Sequence, residues 1–340
     1  MVAEEARGPA YESPLGHMWT RCPEDLMSVT NVYVNSVASY CQGLNSVLGK
    51  VLASVLSAHL IHAKSIGKQY NAIARAFYAS RSKGSGNGPS QGDDRSQNPT
   101  LTGLHLRSRF IGGNSKTAAV DASAPSWSEE LSIQYLCALL NDCGRVINGH
   151  LATLLLTHEA IMTSEGLLEG VLEVQDVFFA MGNRGAAVLA TLLVDGLDLD
   201  QHAGGAKGAA NELVTGLLHV SEWCEEGPFF PSLVAAAADN LAAAYLFKLA
   251  LALDPTADAS NNAIGWPTAT TEKENSFGPA QMEALAKDVS ALSATFAAKW
   301  PNETSKSFDE LRETQQVLSL ELVPPEQDSE SFEAAVQVYR

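Results

Sequence analysis

Apolar residues recur at three- and four-residue steps through most of this chain. The clearest case is Leu44, Val47, Leu48, Val51, Leu52, Val55, Leu56 and Leu60, which marks one apolar face of a helix. Val29, Val32, Ser36, Val37 and Tyr40 keep the same spacing upstream and predict a second helix with an apolar face, although β-branched residues favour helix less. Ser126 and Glu129 form a capping box before an apolar run through Leu140. Ser164 and Glu165 open a helix that the pattern ends near Gly182, and Arg184–Val194 reads as another short helix. Ser232, after Pro231, caps an Ala-rich helix that stops at Asp254-Pro255. Pro279 suits a first helical position. Behind it Met282, Leu285, Val289, Leu292 and Phe296 make a narrow stripe suited to packing on another helix, here assigned to a subunit contact. Val317–Val323 and Ala335–Tyr339 read as short strands able to pair with a neighbouring subunit or with each other.

The expected fold is therefore mainly α: a multi-helix globular domain with long irregular loops and minor C-terminal β structure. Breaks in composition divide the chain into an N-terminal arm (1–25), a helical region (26–79), a Gly/Ser/Asn-rich loop or linker (80–125), a helical core (126–323) and an acidic C-terminal arm (324–340). A second irregular stretch, Asp254–Gly278, lies inside the core region. Asn240–Pro255 is similar to one helix of a tetratricopeptide unit, but no second copy follows at the required offset, so no solenoid is expected.

Charge changes the picture. The 340 residues carry a net −17, and only 18% are charged, below the usual quarter or so. Residues 1–120 hold 12 Lys/Arg against 7 Asp/Glu, whereas residues 121–340 hold 10 against 32. No carboxylate occurs from Leu26 through Gly92, which contains Lys50, Lys64, Lys68, Arg75, Arg81 and Lys83. Arg107, Arg109 and Lys116 follow in the linker. These nine residues are the candidate RNA-facing positions, acting on phosphates by charge alone. The competing reading packs this sparsely charged region against an acidic neighbour, either the rest of the chain or another copy.

Catalytic and ligand motifs fail on spacing. Gly112-Gly113-Asn114-Ser115-Lys116-Thr117 has Ser where a phosphate-binding loop needs Gly before the Lys, and Phe110 where it needs the earlier Gly. Asp198 and Asp200 fit two positions of a calcium loop, but His202 and Ala203 break it. His59 and His62 stand one turn apart without further ligands in sequence, and His158-Glu159 lacks a second His. No G-x-S-x-G elbow marks a nucleophile. The five cysteines match no zinc spacing and read as free thiols in a reducing compartment. The expectation is a protein without enzymatic activity, cofactor or metal. The acidic start lacks a signal peptide, and no run is expected to span a bilayer, so a cytoplasmic location is expected. Trp223, Phe229 and Phe230 lie in the densest aromatic cluster, read as a rigid corner between helices and as a candidate subunit contact.

The segment Val174–Gly208, with Phe178-Phe179-Ala180-Met181-Gly182-Asn183-Arg184-Gly185-Ala186-Ala187, resembles in style the coat proteins of small double-stranded RNA viruses of fungi, the totivirus and partitivirus groups. The resemblance spans about a third of the chain, and no functional residue is carried over. It implies a helical shell protein that packs as dimers into a particle enclosing RNA, with copies of itself as its partner and RNA touched weakly. A protein–protein scaffold and an RNA-binding protein using the basic 50–116 region are the rival readings.

Overall fold

The computed structural model describes residues 11–12, 17–40, 44–84, 129–197, 205–225, 227–253 and 279–321. The described chain is mainly α-helical. Two short strands, β1 (Tyr11–Glu12) and β2 (Met18–Trp19), pair antiparallel ahead of the helices. The helices are α1 (Cys22–Tyr40), α2 (Asn45–Gly84), α3 (Glu129–Arg145), α4 (Ala152–Ser164), α5 (Leu168–Asp195), α6 (Gly205–Trp223), α7 (Phe229–Leu253), α8 (Pro279–Ala297) and α9 (Asp309–Glu321). A π-helical segment, Val146–Leu151, joins α3 to α4 without a break, because Arg145 and Ala152 on either side keep helical dihedrals.

Contacts divide the chain into two compact units. Of the described residues, one comprises 11–12, 17–40, 44–84, 129–192, 216–225 and 227–233, the other 193–197, 205–215, 234–253 and 279–321. These units cut across the boundaries drawn from composition.

The first unit is organised around α2, 40 residues long. Leu52, Leu56, Ala63, Ile66, Tyr70, Ile73 and Phe77 are buried along one side of it. The α3–π–α4 rod runs antiparallel to α2, with Tyr135 donating to Gln69 Oε1 (3.0 Å) near one end and His59 edge-on to His150 near the other. Helix α4 ends in a tight reversal. Leu167 N–H donates to Met162 O and Gly166 N–H to Thr163 O, with Gly166 at φ +68°, the pattern that closes a helix with a left-handed glycine. Helix α5 then returns parallel to α2, with Gly170 facing Leu56 and Gly67 facing Met181.

Helix α5 runs through Gly182, where the sequence pattern predicted a stop. The reason is a close approach: the Phe229 ring sits directly over Gly182, where a side chain would collide with it. The glycine makes room for a ring rather than ending a helix. Helix α7 starts at Phe229, so Pro231 lies within its first turn and Ser232 is not the cap.

A polar knot ties the N-terminal segment to α3. Asp142 accepts from Thr20 N–H (3.1 Å) and from the Thr20 hydroxyl. Asn141 donates to Met18 O (2.6 Å) and Trp223 O (2.8 Å) and accepts from Glu225 N–H (2.9 Å). Arg145 lies 4.2 Å over the Trp19 ring and pairs with Glu24 and Glu225.

In the second unit Leu285, Val289, Leu292 and Phe296 of α8 pack toward α9, with Phe296 5.6 Å from Phe308 between ring centres and Leu311 fully buried. Arg312 donates to Ser293 Oγ (3.2 Å), and Tyr245 of α7 donates to Asp288 Oδ2 (2.6 Å). Val317–Glu321, expected as part of a strand, is the last turn of α9. Asp309 and Glu310 suit the positive end of that helix, and the strong helix formers between them and Val317 carry the conformation onward. The other expected strand, Ala335–Tyr339, and the C-terminal arm lie outside the described residues.

By length and composition Asn45–Arg75, Leu168–Asp195 and Phe229–Ala250 reach what a membrane span requires, contrary to the expectation that no run would. About half of each such window is buried within the protein.

Candidate functional site

Helix α2 has two opposed faces. Lys50, Lys64, Lys68 and Arg75 are all exposed and fall within roughly 40° of one another at about 100° per residue. Their mean direction lies opposite the buried row from Leu52 to Phe77. The row spans about 37 Å at 1.5 Å per residue. Among the described residues none of the four pairs with a carboxylate, and Ile61 stands between them at 68% exposure. The helix backbone also includes Arg81 and Lys83. Arg107, Arg109 and Lys116, with the whole Gly112–Thr117 motif, lie outside the described residues.

Helix α5 carries the opposite sign. Glu169, Glu173 and Asp176 are exposed, fall on one face at three- and four-residue steps, and have no cationic partner among the described residues. The contacts of Gly67 with Met181 and of Gly170 with Leu56 fix where the two parallel helices touch. Each charged row lies about a quarter turn from that line, in opposite rotational senses. Both rows therefore look out on the same side of the α2–α5 pair. Arg184, which donates to Asn71 Oδ1 (3.0 Å), bridges the helices on that side.

Helix α1 covers the residues whose spacing predicted it. Val29, Val32, Tyr33, Ser36 and Tyr40 share a face, and it is the exposed one: Val32 is 66% and Tyr40 90% accessible. The helix is held instead through Pro23, Thr30 and Val34. No charged residue occurs from Leu26 to Gly49, so the exposed face is apolar and neutral.

The residues assigned to subunit contact from sequence lie elsewhere. Leu285, Val289, Leu292 and Phe296 are buried against their own unit, and Met282 is half-buried beside them. The stripe's partner is α9, not another subunit. Trp223 and Phe229 are also buried, Phe229 beneath α5 where it meets Phe179 edge-on. The corner reading of that cluster holds for both residues, and neither ring is offered to a partner.

Phe230 is half-buried and lines a cavity of about 360 Å³ beside the π segment, together with Asn141, Arg145, Asn148, His150, Glu225 and Phe229. Behind it three imidazoles gather. His59 donates from Nδ1 to Val55 O (2.9 Å), and His62 Nδ1 lies 3.3 Å from Cys22 Sγ. The enclosed His59 Nε2, His62 Nε2 and His150 Nδ1 find no hydrogen-bond partner among the described residues. Burial lowers all three, with His59 repelling the other two, and His62 and His150 fall to about 4. These imidazoles are neutral at pH 7. Burial pushes the Cys137 and Cys143 thiols and the Tyr70 phenol up, so each keeps its proton. Among the described residues no group of three or more His, Cys, Asp or Glu is arranged to hold a metal ion.

The sequence pattern missed the acidic row, the third histidine and the Asn141–Asp142–Arg145 knot. The spacing of Glu169, Glu173 and Asp176 was open to view; the other two depend on contacts between distant parts of the chain.

No family model matches the chain, and neither does any curated protein. Among solved structures it is similar to the crystal structure of the C-terminal domain of the exocyst subunit Sec6p. The TM-score is 0.60 at 12% identity, covering 92% of this chain and 68% of that one. At that identity the likeness is one of fold alone.

Proposed function

We propose that this chain is a structural, self-assembling protein without enzymatic activity, a subunit that packs as dimers into a shell enclosing RNA in the cytoplasm of its host. The observation that carries this reading is the exposed, uncharged face of α1. Two copies of a chain with net charge −17 repel each other. Contact is cheapest where the surface is apolar and carries no carboxylate, and α1 presents such a face with Val29, Val32, Tyr33 and Tyr40 outermost. The form of the assembly, a coat around RNA, follows the sequence resemblance to mycovirus coat proteins. Negative-stain microscopy of the purified protein tests it: closed particles of uniform size are expected, and a field of isolated subunits contradicts it.

A second reading is a helical scaffold for other proteins. The fold likeness to a domain of an exocyst subunit favours it. On that reading the purified chain stays small and the α1 face is covered by a different protein.

A further inference from the structure

Two buried thiols from distant parts of the chain meet beside the cavity. Cys137, on α3, is fully buried, and Cys224, just after α6, is 7% exposed. Asn141 stands one turn after Cys137 on the same side of α3. Its side chain holds the backbone on both flanks of Cys224, donating to Trp223 O (2.8 Å) and accepting from Glu225 N–H (2.9 Å). Cys224 is thereby set against the turn of α3 that carries Cys137, and the two thiols hydrogen-bond to each other. Cys224 also lines the cavity of about 360 Å³, whereas Cys137 is wholly enclosed. Cys22 and Cys143 have different neighbours: Cys22 Sγ lies 3.3 Å from His62 Nδ1, and Cys143 Sγ 3.9 Å from the Tyr70 oxygen.

We propose that Cys137 and Cys224 form an oxidation site, a dithiol that a small hydroperoxide converts to a disulfide stapling α3 to the corner between α6 and α7. The asymmetry of the pair sets the order of events. Peroxide entering the cavity meets Cys224, whose sulfur attacks the O–O bond. One oxygen stays on the sulfur as a sulfenic acid, and the other leaves as water with the thiol proton. The Cys137 sulfur then attacks that of Cys224: the S–S bond forms, the S–O bond breaks, and the hydroxyl leaves with the Cys137 proton as a second water. Burial keeps the Cys137 thiol protonated, so its contact with Cys224, rather than intrinsic reactivity, drives this second step. Thiols already in contact have little distance to close. A thiol such as glutathione reverses the bond in a reducing compartment. The staple closes a long loop and so restricts the unfolded chain strongly. The corner it fixes is the one that carries Phe229 onto Gly182. The site stands independently of self-assembly.

The experiment treats the reduced full chain with hydrogen peroxide, blocks the remaining thiols in denaturant, and maps peptides by mass spectrometry without reduction. The expected product is a peptide pair joined through Cys137 and Cys224, lighter by two hydrogens and restored by dithiothreitol. The cross-linked protein is expected to melt at a higher temperature than the reduced one. Cys137→Ser is expected to stop at the sulfenic acid on Cys224, captured by dimedone, and Cys224→Ser to leave Cys137 reduced. Circular dichroism checks that both variants stay folded, and the wild-type peptide map decides the matter without them. A pair still reduced after a treatment that oxidises glutathione in a parallel tube overturns the site. So does a disulfide from either cysteine to another one, a cross-linked chain that melts below the reduced chain, or oxidation of Cys137 in folded Cys224→Ser.

Discussion

Gly182 and Gly166 serve the fold in different ways. The Phe229 ring fills the space over Gly182, so Gly182→Ala forces the ring or the backbone to move. A loss of about 1–3 kcal/mol is expected, as for other overpacked cores, measured by urea unfolding. Gly166 holds φ +68° with open space around it, so Gly166→Ala is expected to cost only the backbone strain, about 1–2 kcal/mol. The buried histidines act through pH. His62 and His150 sit at about 4, and His59 is also lowered from the usual value near 6.5. Between those limits the unfolded chain takes up protons that the folded one refuses. Stability from the cluster is therefore complete above about pH 6.5 and drains as the pH falls toward 4. Calorimetry should show the melting temperature dropping from pH 7 to pH 5, with a shallower drop in His62→Gln with His150→Gln. An equal slope in both proteins contradicts it. The Gly166 turn is a local motif, but the other contacts are not. Asp142 reaches Thr20, and Gly182 receives Phe229, across long stretches of chain, so local spacing carried no sign of either.

Among the helices, α2 was the most legible, because its apolar period is long and its opposite face is cationic. Even so, Leu44 and Val47 at its start are exposed. Periodicity shows which residues share a face but not what covers it, and the apolar face of α1 is exposed. For α9, Val317–Glu321 is too short and apolar for period alone to separate strand from helix turn. The α8 stripe was read correctly as a packing face and assigned to the wrong partner. Helix α2 separates stability from surface chemistry. Ile66→Ala, at a fully buried position, is expected to cost about 2–5 kcal/mol. Lys64→Glu, at an exposed one, should stay within about 0.5 kcal/mol of wild type. Equal losses in denaturant unfolding would show that α2 does not have the two faces described.

For the whole molecule the governing fact is a strongly acidic chain in which residues 26–92 contain no acid. Among the described residues the buried Cys137 and Cys143 thiols keep their protons, the enclosed His59, His62 and His150 imidazoles are neutral, and Arg145 is engaged by Glu24 and Glu225. Its exposed surface includes the neutral face of α1 and the charged rows of α2 and α5. The most direct test is sedimentation velocity of the full chain across a wide concentration range, beside Val32→Glu with Tyr33→Glu. The wild type is expected to form larger species as concentration rises, and the variant to remain smaller at every concentration with its helix content intact. A wild type that sediments as a monomer throughout would contradict the account.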